Sequence, residues 1–350
     1  MKRILVGILS SLLLFLMCSR TEDSCNDSNR FFSENSFWNQ VIGQNPEIDE
    51  RSQEWIELLK TEPSTPNIGI NVFRWTIPVY EVNENTPRYT IHKHRLTEDE
   101  KRQWDTKRDY FGHGPDFSDN VPIPKEALPD PEEDAHFAVV DRKNQIAWDM
   151  WGFRVQSDGS FESNTGMKYA LNGEGVFNTD EFNILNGESV HFHGPSRAAG
   201  VPAIAGLIMY DEIMNGKINH KLAIATRFAT FQEFVFPASW TDGFTVGGIP
   251  EGAVIQLNPD LDLAQFDLTP GEVVVAKALQ TYGAVVVDVA QGTPLYAEGL
   301  WAYPDKSWKG ILREWDAGIC TIPFDHYYIL KVGPTIQKGD ARSVKNPYWK

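Results

Sequence analysis

The stretch from Ser189 to Phe228, SVHFHGPSRAAGVPAIAGLIMYDEIMNGKINHKLAIATRF, constrains the fold more than any other part of the chain. Residues 189–193 alternate as a strand does. Gly194-Pro195-Ser196 ends that strand, because proline lacks the amide hydrogen a ladder needs. A small apolar run over 200–206 comes next, then a short helix over 210–216 closed by Gly216, then a second strand over 221–228. His191, His193 and His220 therefore fall at strand ends beside loops, where a rigid scaffold presents binding and catalytic groups.

The rest of the chain repeats this pattern of short, punctuated elements. Strands are expected over 72–82, 89–94, 136–141, 146–153, 233–237, 253–257, 284–289 and 327–332. Helices are expected over 48–60, 96–104, 271–281 and 307–315. Residues 112–134 carry five prolines and read as a long ordered loop, a wall or lid lying across a cleft. No fixed period recurs, which excludes solenoids, propellers and coiled coils. The expected fold class is mainly β, α+β at the margin, with a β-sandwich or jelly-roll-like core and short peripheral helices.

Lys2 and Arg3 precede an apolar run, Ile4 to Met17, too short to span a bilayer, and the run ends at Cys18. This reads as a signal peptide over 1–17 with Cys18 as the lipidated residue, although Phe15-Leu16-Met17 departs from the usual lipobox. A lipidated cysteine and flexible tether over 18–35 and a single β-rich domain over 36–350 follow. The protein is then an outer-membrane or cell-surface lipoprotein, touching the membrane through its lipid anchor only. In an oxidising compartment Cys25 and Cys320 can pair. The net charge of −16 argues against nucleic acid as a partner.

The load of 11 Trp, 11 Tyr and 20 Phe supplies rings on which sugars stack, besides those needed for the core. Within 146–153, Ala147, Asp149, Trp151 and Phe153 share one face. A carboxylate there is either hydrogen bonded to a neighbouring strand or holds its proton and acts as an acid. His191 and His193 lie on one side of a strand and can ligate a metal as in cupin-like barrels, but the glutamate of that pattern is missing; a polar cleft lining suits them as well. His220 is placed as a general base or as a cap on the preceding helix. Tyr282 ends a helix. Arg197, on the Gly-Pro-Ser-Arg turn, can grip a carboxylate bidentately. Phosphate-cradling glycine loops, dinucleotide fingerprints, Gly-x-Ser-x-Gly elbows and His-Glu-x-x-His helices are absent.

Six blocks, SFWNQVI (36–42), DAHFAVVD, RAAGVPAIAGLIMYDEIMNGKINHKLAIA, FVFPAS, IPEGAVIQLN and ALQTYGAVVVD, resemble a broad group of secreted bacterial proteins. The resemblance carries Asp134, His136, Asp149, His220, Tyr282 and Asp288 as positions of matching type and implies no activity. It departs in the central loop, where the group has an aspartate and this chain has Arg197 and Ala198.

A surface-anchored, aromatic-rich β protein resembles machinery that cuts or holds extracellular glycans. The expected function is cleavage of a glycosidic bond in a polysaccharide or oligosaccharide. On a uronate substrate, β-elimination would use Arg197 on the carboxylate, His220 or His136 as base and Tyr282 as acid. On a neutral one, Asp149 with Asp134 or Asp288 would hydrolyse. His193 and Trp151 would line the substrate site. The alternative is a non-catalytic surface glycan-binding lipoprotein.

Overall fold

The strand Ala284–Asp288 alternates between two apolar surroundings: Val285 and Val287 face one buried cluster, Ala284 and Val286 another. Leu222–Ala225 beside it does the same, with Ala223 and Ala225 on the first side and Leu222 and Ile224 on the second. A strand buried on both faces must sit in the middle of a layered protein. Each full-sized side chain so buried contributes about 1.5–3 kcal/mol, so a one-residue slip of register is strongly disfavoured.

The computed structural model describes residues 30–104, 106–107, 109–114, 116–177, 197–301 and 303–337. The residues from Phe31 onward belong to one compact unit. It is mainly β. One six-stranded sheet has the order Ile68–Asn71, Thr293–Tyr296, Leu222–Ala225, Ala284–Asp288, Val254–Leu257, Tyr327–Ile329. A second runs Glu298–Gly299, Ile77–Glu81, Phe137–Asp141, Ile146–Trp151, Thr165–Ala170, Gly112–His113. The chain steps between sheets at Ala297.

Their inner faces meet in one core, to which Val79, Ala138, Val140, Ala147 and Met167 come from the second sheet and Ala223, Val285 and Val287 from the first. The buried loop from Ala199 to Leu207 fills the space between them. The outcome is a sandwich-like β core with peripheral helices: α1 (Ser52–Leu59), α2 (Glu98–Gln103), α3 (Tyr210–Met214) and α4 (Pro270–Thr281). Trp55, Ile56 and Leu59 of α1 and Val275, Ala276 and Leu279 of α4 cover the outer face of the first sheet. A capping box starts α4: the Thr269 hydroxyl accepts from the Glu272 amide and the Glu272 carboxylate accepts from the Thr269 amide.

Several expected elements differ. Residues 307–315 form turns rather than a helix, because the Trp308 indole is drawn inward to donate to the Glu298 carbonyl at 2.8 Å and Gly310 takes φ +78°. Of the strand expected over 72–82 only Ile77–Glu81 forms; a separate strand, Ile68–Asn71, precedes it in the other sheet, and bends over 72–75 carry the chain from one sheet to the next. The strand expected over 233–237 runs instead as Ala229–Phe234.

The Pro-rich segment is a packed layer rather than a lid. Its Phe117, Val121, Ile123 and Ala127 cover Tyr80, Phe137, Val139, Trp148 and Met150 on the outer face of the second sheet. Cys320 is buried with a free thiol. Cys18, Cys25, His191 and His193 lie outside the described residues, as does residue 115 of the Pro-rich segment.

Candidate functional site

Arg197 opens the loop between the sheets and has no exposed surface. Its Nη2 donates to the Ala203 carbonyl at 3.3 Å, while Nε and Nη1 are buried without a hydrogen-bond acceptor among the described residues. Desolvating a guanidinium without partners costs several kcal/mol, so this cation calls for a physical reason. Part of the compensation is the Tyr296 ring, whose centroid lies 3.8 Å from the guanidinium carbon.

Around this pair the two sheets bring a set of acids and a histidine. Asp288 ends the Ala284–Asp288 strand at an irregularity: the register shifts between Ile224 and Ala225, so Ala225 pairs with Asp288. A bulge of this kind re-aims a side chain, here placing Asp288 within electrostatic reach of Arg197, Asp134 and Asp242. Burial and then Asp242 push the Asp288 carboxyl well above the usual carboxylate range, against the pull of Arg197. Asp288 lies deep in the protein but keeps part of its surface open. Glu251 has no exposed surface; burial, then Asp242, raise its proton affinity too. Thr241 and Asp242 neighbour the Glu251 carboxyl, although neither of its oxygens has a well-formed hydrogen bond. Burial raises the Tyr296 phenol well above its ordinary value.

From the second sheet comes His136, just before Phe137–Asp141, with only 3% of its surface exposed. Its Nε2 lies 3.9 Å from Asp134 Oδ2, and its Nδ1 is buried without a partner among the described residues. Burial lowers its proton affinity, Asp134 acts in the opposite sense, and Arg197 reinforces the lowering. The ring is therefore neutral at neutral pH, able to accept a proton. Asp134 is part-exposed at the rim and accepts from the Trp151 indole at 2.9 Å. Trp151 in turn packs against Trp104 and Phe111, each 5.3 Å between centroids.

Of the candidate residues, Asp134, His136, Arg197 and Asp288 thus converge, with Trp151 at the rim. Asp149 supports them from behind. Its Oδ2 accepts from the Ala203 amide at 2.6 Å and from the Tyr169 hydroxyl at 3.1 Å, so it fixes the loop whose Ala203 carbonyl holds Arg197. His220 is engaged at α3: Nδ1 donates to the Lys221 carbonyl at 2.7 Å, and Nε2 meets Glu212 Oε2 at 3.0 Å. Tyr282 is the C-cap of α4 and its amide donates to Ala278.

Tyr296, Asp242 and Glu251 carry no cue in the sequence. Tyr296 lies in an unremarkable TPLY run, and the other two flank a glycine-rich turn, so only their convergence identifies them. Among the described residues no group of three or more His, Cys, Asp or Glu is arranged to hold a metal ion.

Burial favours the protonated forms of Asp288 and Glu251 and the neutral ring of His136, beside the Arg197 guanidinium, with Asp134 at the edge of the cluster. Such an arrangement can take up an anionic group, accept a proton at His136 and return one from Asp288. The chain matches no protein family, no curated protein and no solved structure.

Proposed function

We propose that this protein is an extracytoplasmic, lipid-anchored carbohydrate-active enzyme that cleaves a uronate-containing polysaccharide by β-elimination. The observation that carries the reading is the buried guanidinium of Arg197, with Nε and Nη1 lacking acceptors among the described residues. A planar fork of free N–H groups recognises a carboxylate, and a uronate carries one beside the carbon that must lose its proton.

In this reading Arg197 binds the carboxylate and stabilises negative charge developing on it after C5 deprotonation. His136 removes the C5 proton, and Asp134 favours the resulting imidazolium. The C5–H pair forms the C4–C5 double bond, the C4–O4 bond breaks, and Asp288 donates its proton to the departing O4. Tyr296 holds Arg197 in place, and Trp151 offers a sugar-stacking edge at the rim. Of the two expected bases, His136 rather than His220 takes the role, since His220 is engaged by Lys221 and Glu212, and Asp288 takes the acid role in place of Tyr282.

A second reading rests on the raised proton affinity of Asp288 beside Asp134: the two carboxyls would act as the acid and base of a glycoside hydrolase. One assay separates the two. Polyuronates and neutral polysaccharides are incubated with purified protein, following reducing ends and the near-ultraviolet absorbance of the unsaturated product that elimination alone makes. Both signals on a polyuronate support the lyase. Reducing ends without the absorbance favour hydrolysis, and binding without cutting favours a glycan-binding lipoprotein.

A further inference from the structure

Residues 240–246 run extended away from the Arg197 loop, and their side chains divide by parity. Thr241 and Gly243 are buried and Thr245 half-buried, whereas Asp242, Phe244 and Val246 are exposed and Trp240 is half-buried. Pairing explains the division. The Phe231 amide donates to the Thr245 carbonyl, the Thr245 amide to the Ala229 carbonyl, and Thr230 and Thr245 form a parallel bridge. Gly243 is required at its position, since a Cβ there would stand 2.1 Å from the Thr230 carbonyl oxygen.

The outward face of this pair carries Phe231, Phe244 and Val246, exposed by 49%, 58% and 88%. Three exposed apolar side chains on one paired segment are an unusual use of surface, and patches of that kind mark ligand grooves or partner sites. Two features tie the patch to the candidate site. The amides of Ser239 and Trp240 both donate to the Ala199 carbonyl, two residues from Arg197. Asp242, on the same outward parity as Phe244, is the largest charged influence on both Asp288 and Glu251. One extended segment thus leads from the acid cluster to the exposed aromatic face.

We infer that the 240–246 segment and Phe231 form a rail along which further sugar rings of a polysaccharide chain lie, with Phe244 as the principal stacking residue. The inference rests on the glycan reading above and adds to it that the protein prefers long chains over short ones. A sugar presents the C–H groups of one face to an aromatic ring while its hydroxyls stay in water, so an exposed Phe suits it and a deep pocket is not needed.

The test is calorimetric titration of the full chain and of Phe244→Ala and Phe231→Ala/Phe244→Ala variants with short and long fragments of polygalacturonate and polymannuronate. The parent is expected to bind long fragments more tightly than short ones. Phe244→Ala should weaken long-fragment binding about tenfold and so remove most of that preference. Melting temperatures serve as the control for folding. Equal long-fragment affinity in parent and Phe244→Ala overturns the rail while leaving the glycan reading intact. No binding of any fragment by the parent overturns both. Loss of binding to anionic phospholipid vesicles in Phe244→Ala, with fragment affinity unchanged, assigns the patch to a lipid surface and also overturns the rail.

Discussion

The Ala203 backbone joins Asp149 to Arg197: the amide of Ala203 donates to Asp149 Oδ2 at 2.6 Å, and its carbonyl accepts from Arg197 Nη2 at 3.3 Å. The buried carboxylate and the buried guanidinium therefore act on one peptide segment from opposite sides. Asp149 positions the segment, and Arg197 Nε and Nη1 are left without an acceptor among the described residues, the place a substrate carboxylate would take in the proposed function. In the proposed function this relationship separates a residue that holds the site from one that would meet a substrate.

Replacing Arg197 tests that separation. Arg197→Met removes a desolvated cation and fills its volume with an apolar chain. Stability should be unchanged or higher by about 1–3 kcal/mol, while binding of uronate oligosaccharides is lost. Thermal melting together with titration checks it. A variant that unfolds would mean that Arg197 is a structural brace.

Tyr169→Phe should behave in the opposite way. It deletes the hydroxyl that donates to Asp149 at 3.1 Å in the core, which should cost about 1–3 kcal/mol in a urea melt. Substrate KM and kcat should stay within a few-fold, because the Ala203 amide still holds Asp149.

The activity should have an acid limb below pH 6.5, the ordinary histidine value, since burial lowers the proton affinity of His136 and keeps it neutral further into the acid range. The alkaline limb belongs to Asp288, which must carry a proton to donate it. The pH profile of kcat/KM should lose its acid limb in His136→Gln and its alkaline limb in Asp288→Asn, whatever residual rate remains.

Glu298 provides a pH effect on stability away from that site. Burial raises its carboxyl from 4.5 to about 7, although the Tyr210 amide donates to its Oε2 at 2.9 Å. The folded state binds this proton more tightly than the unfolded chain. Its contribution is therefore fully present below pH 4.5 and is lost as pH rises through 7, a change of about 3 kcal/mol. Melting temperature across that window should fall less steeply in Glu298→Gln than in the parent.

Anchoring is testable by Cys18→Ala, which should move the protein from the membrane fraction to the soluble one, since acyl chains contribute about 0.8 kcal/mol per buried CH₂. Unchanged fractionation would remove the lipoprotein reading.

What the sequence determined by itself is what nearest neighbours decide. The hairpin around residues 142–145 places strands Phe137–Asp141 and Ile146–Trp151 as expected, because alternation and a polar turn specify them locally. Helix α4 follows from Thr269, Glu272 and an apolar stripe. Residues 307–315 carry enough helix formers to read as a helix, yet Trp308 gains more by reaching Glu298 across the fold, a contact no short window contains. The Pro-rich segment was legible as an ordered loop, but only packing decided that it covers Phe137 and Met150 rather than a cleft.

The site divides along the same line. Arg197 could be named from its place on the Gly-Pro-Ser-Arg turn, and Asp134, His136 and Asp288 from the resemblance to the secreted group. Their convergence, and the roles of Tyr296, Asp242 and Glu251, could not. Charge interactions act through space between elements far apart in the chain, and the proton affinities that give these groups their chemistry come from burial, which exists only once the two sheets have closed over them.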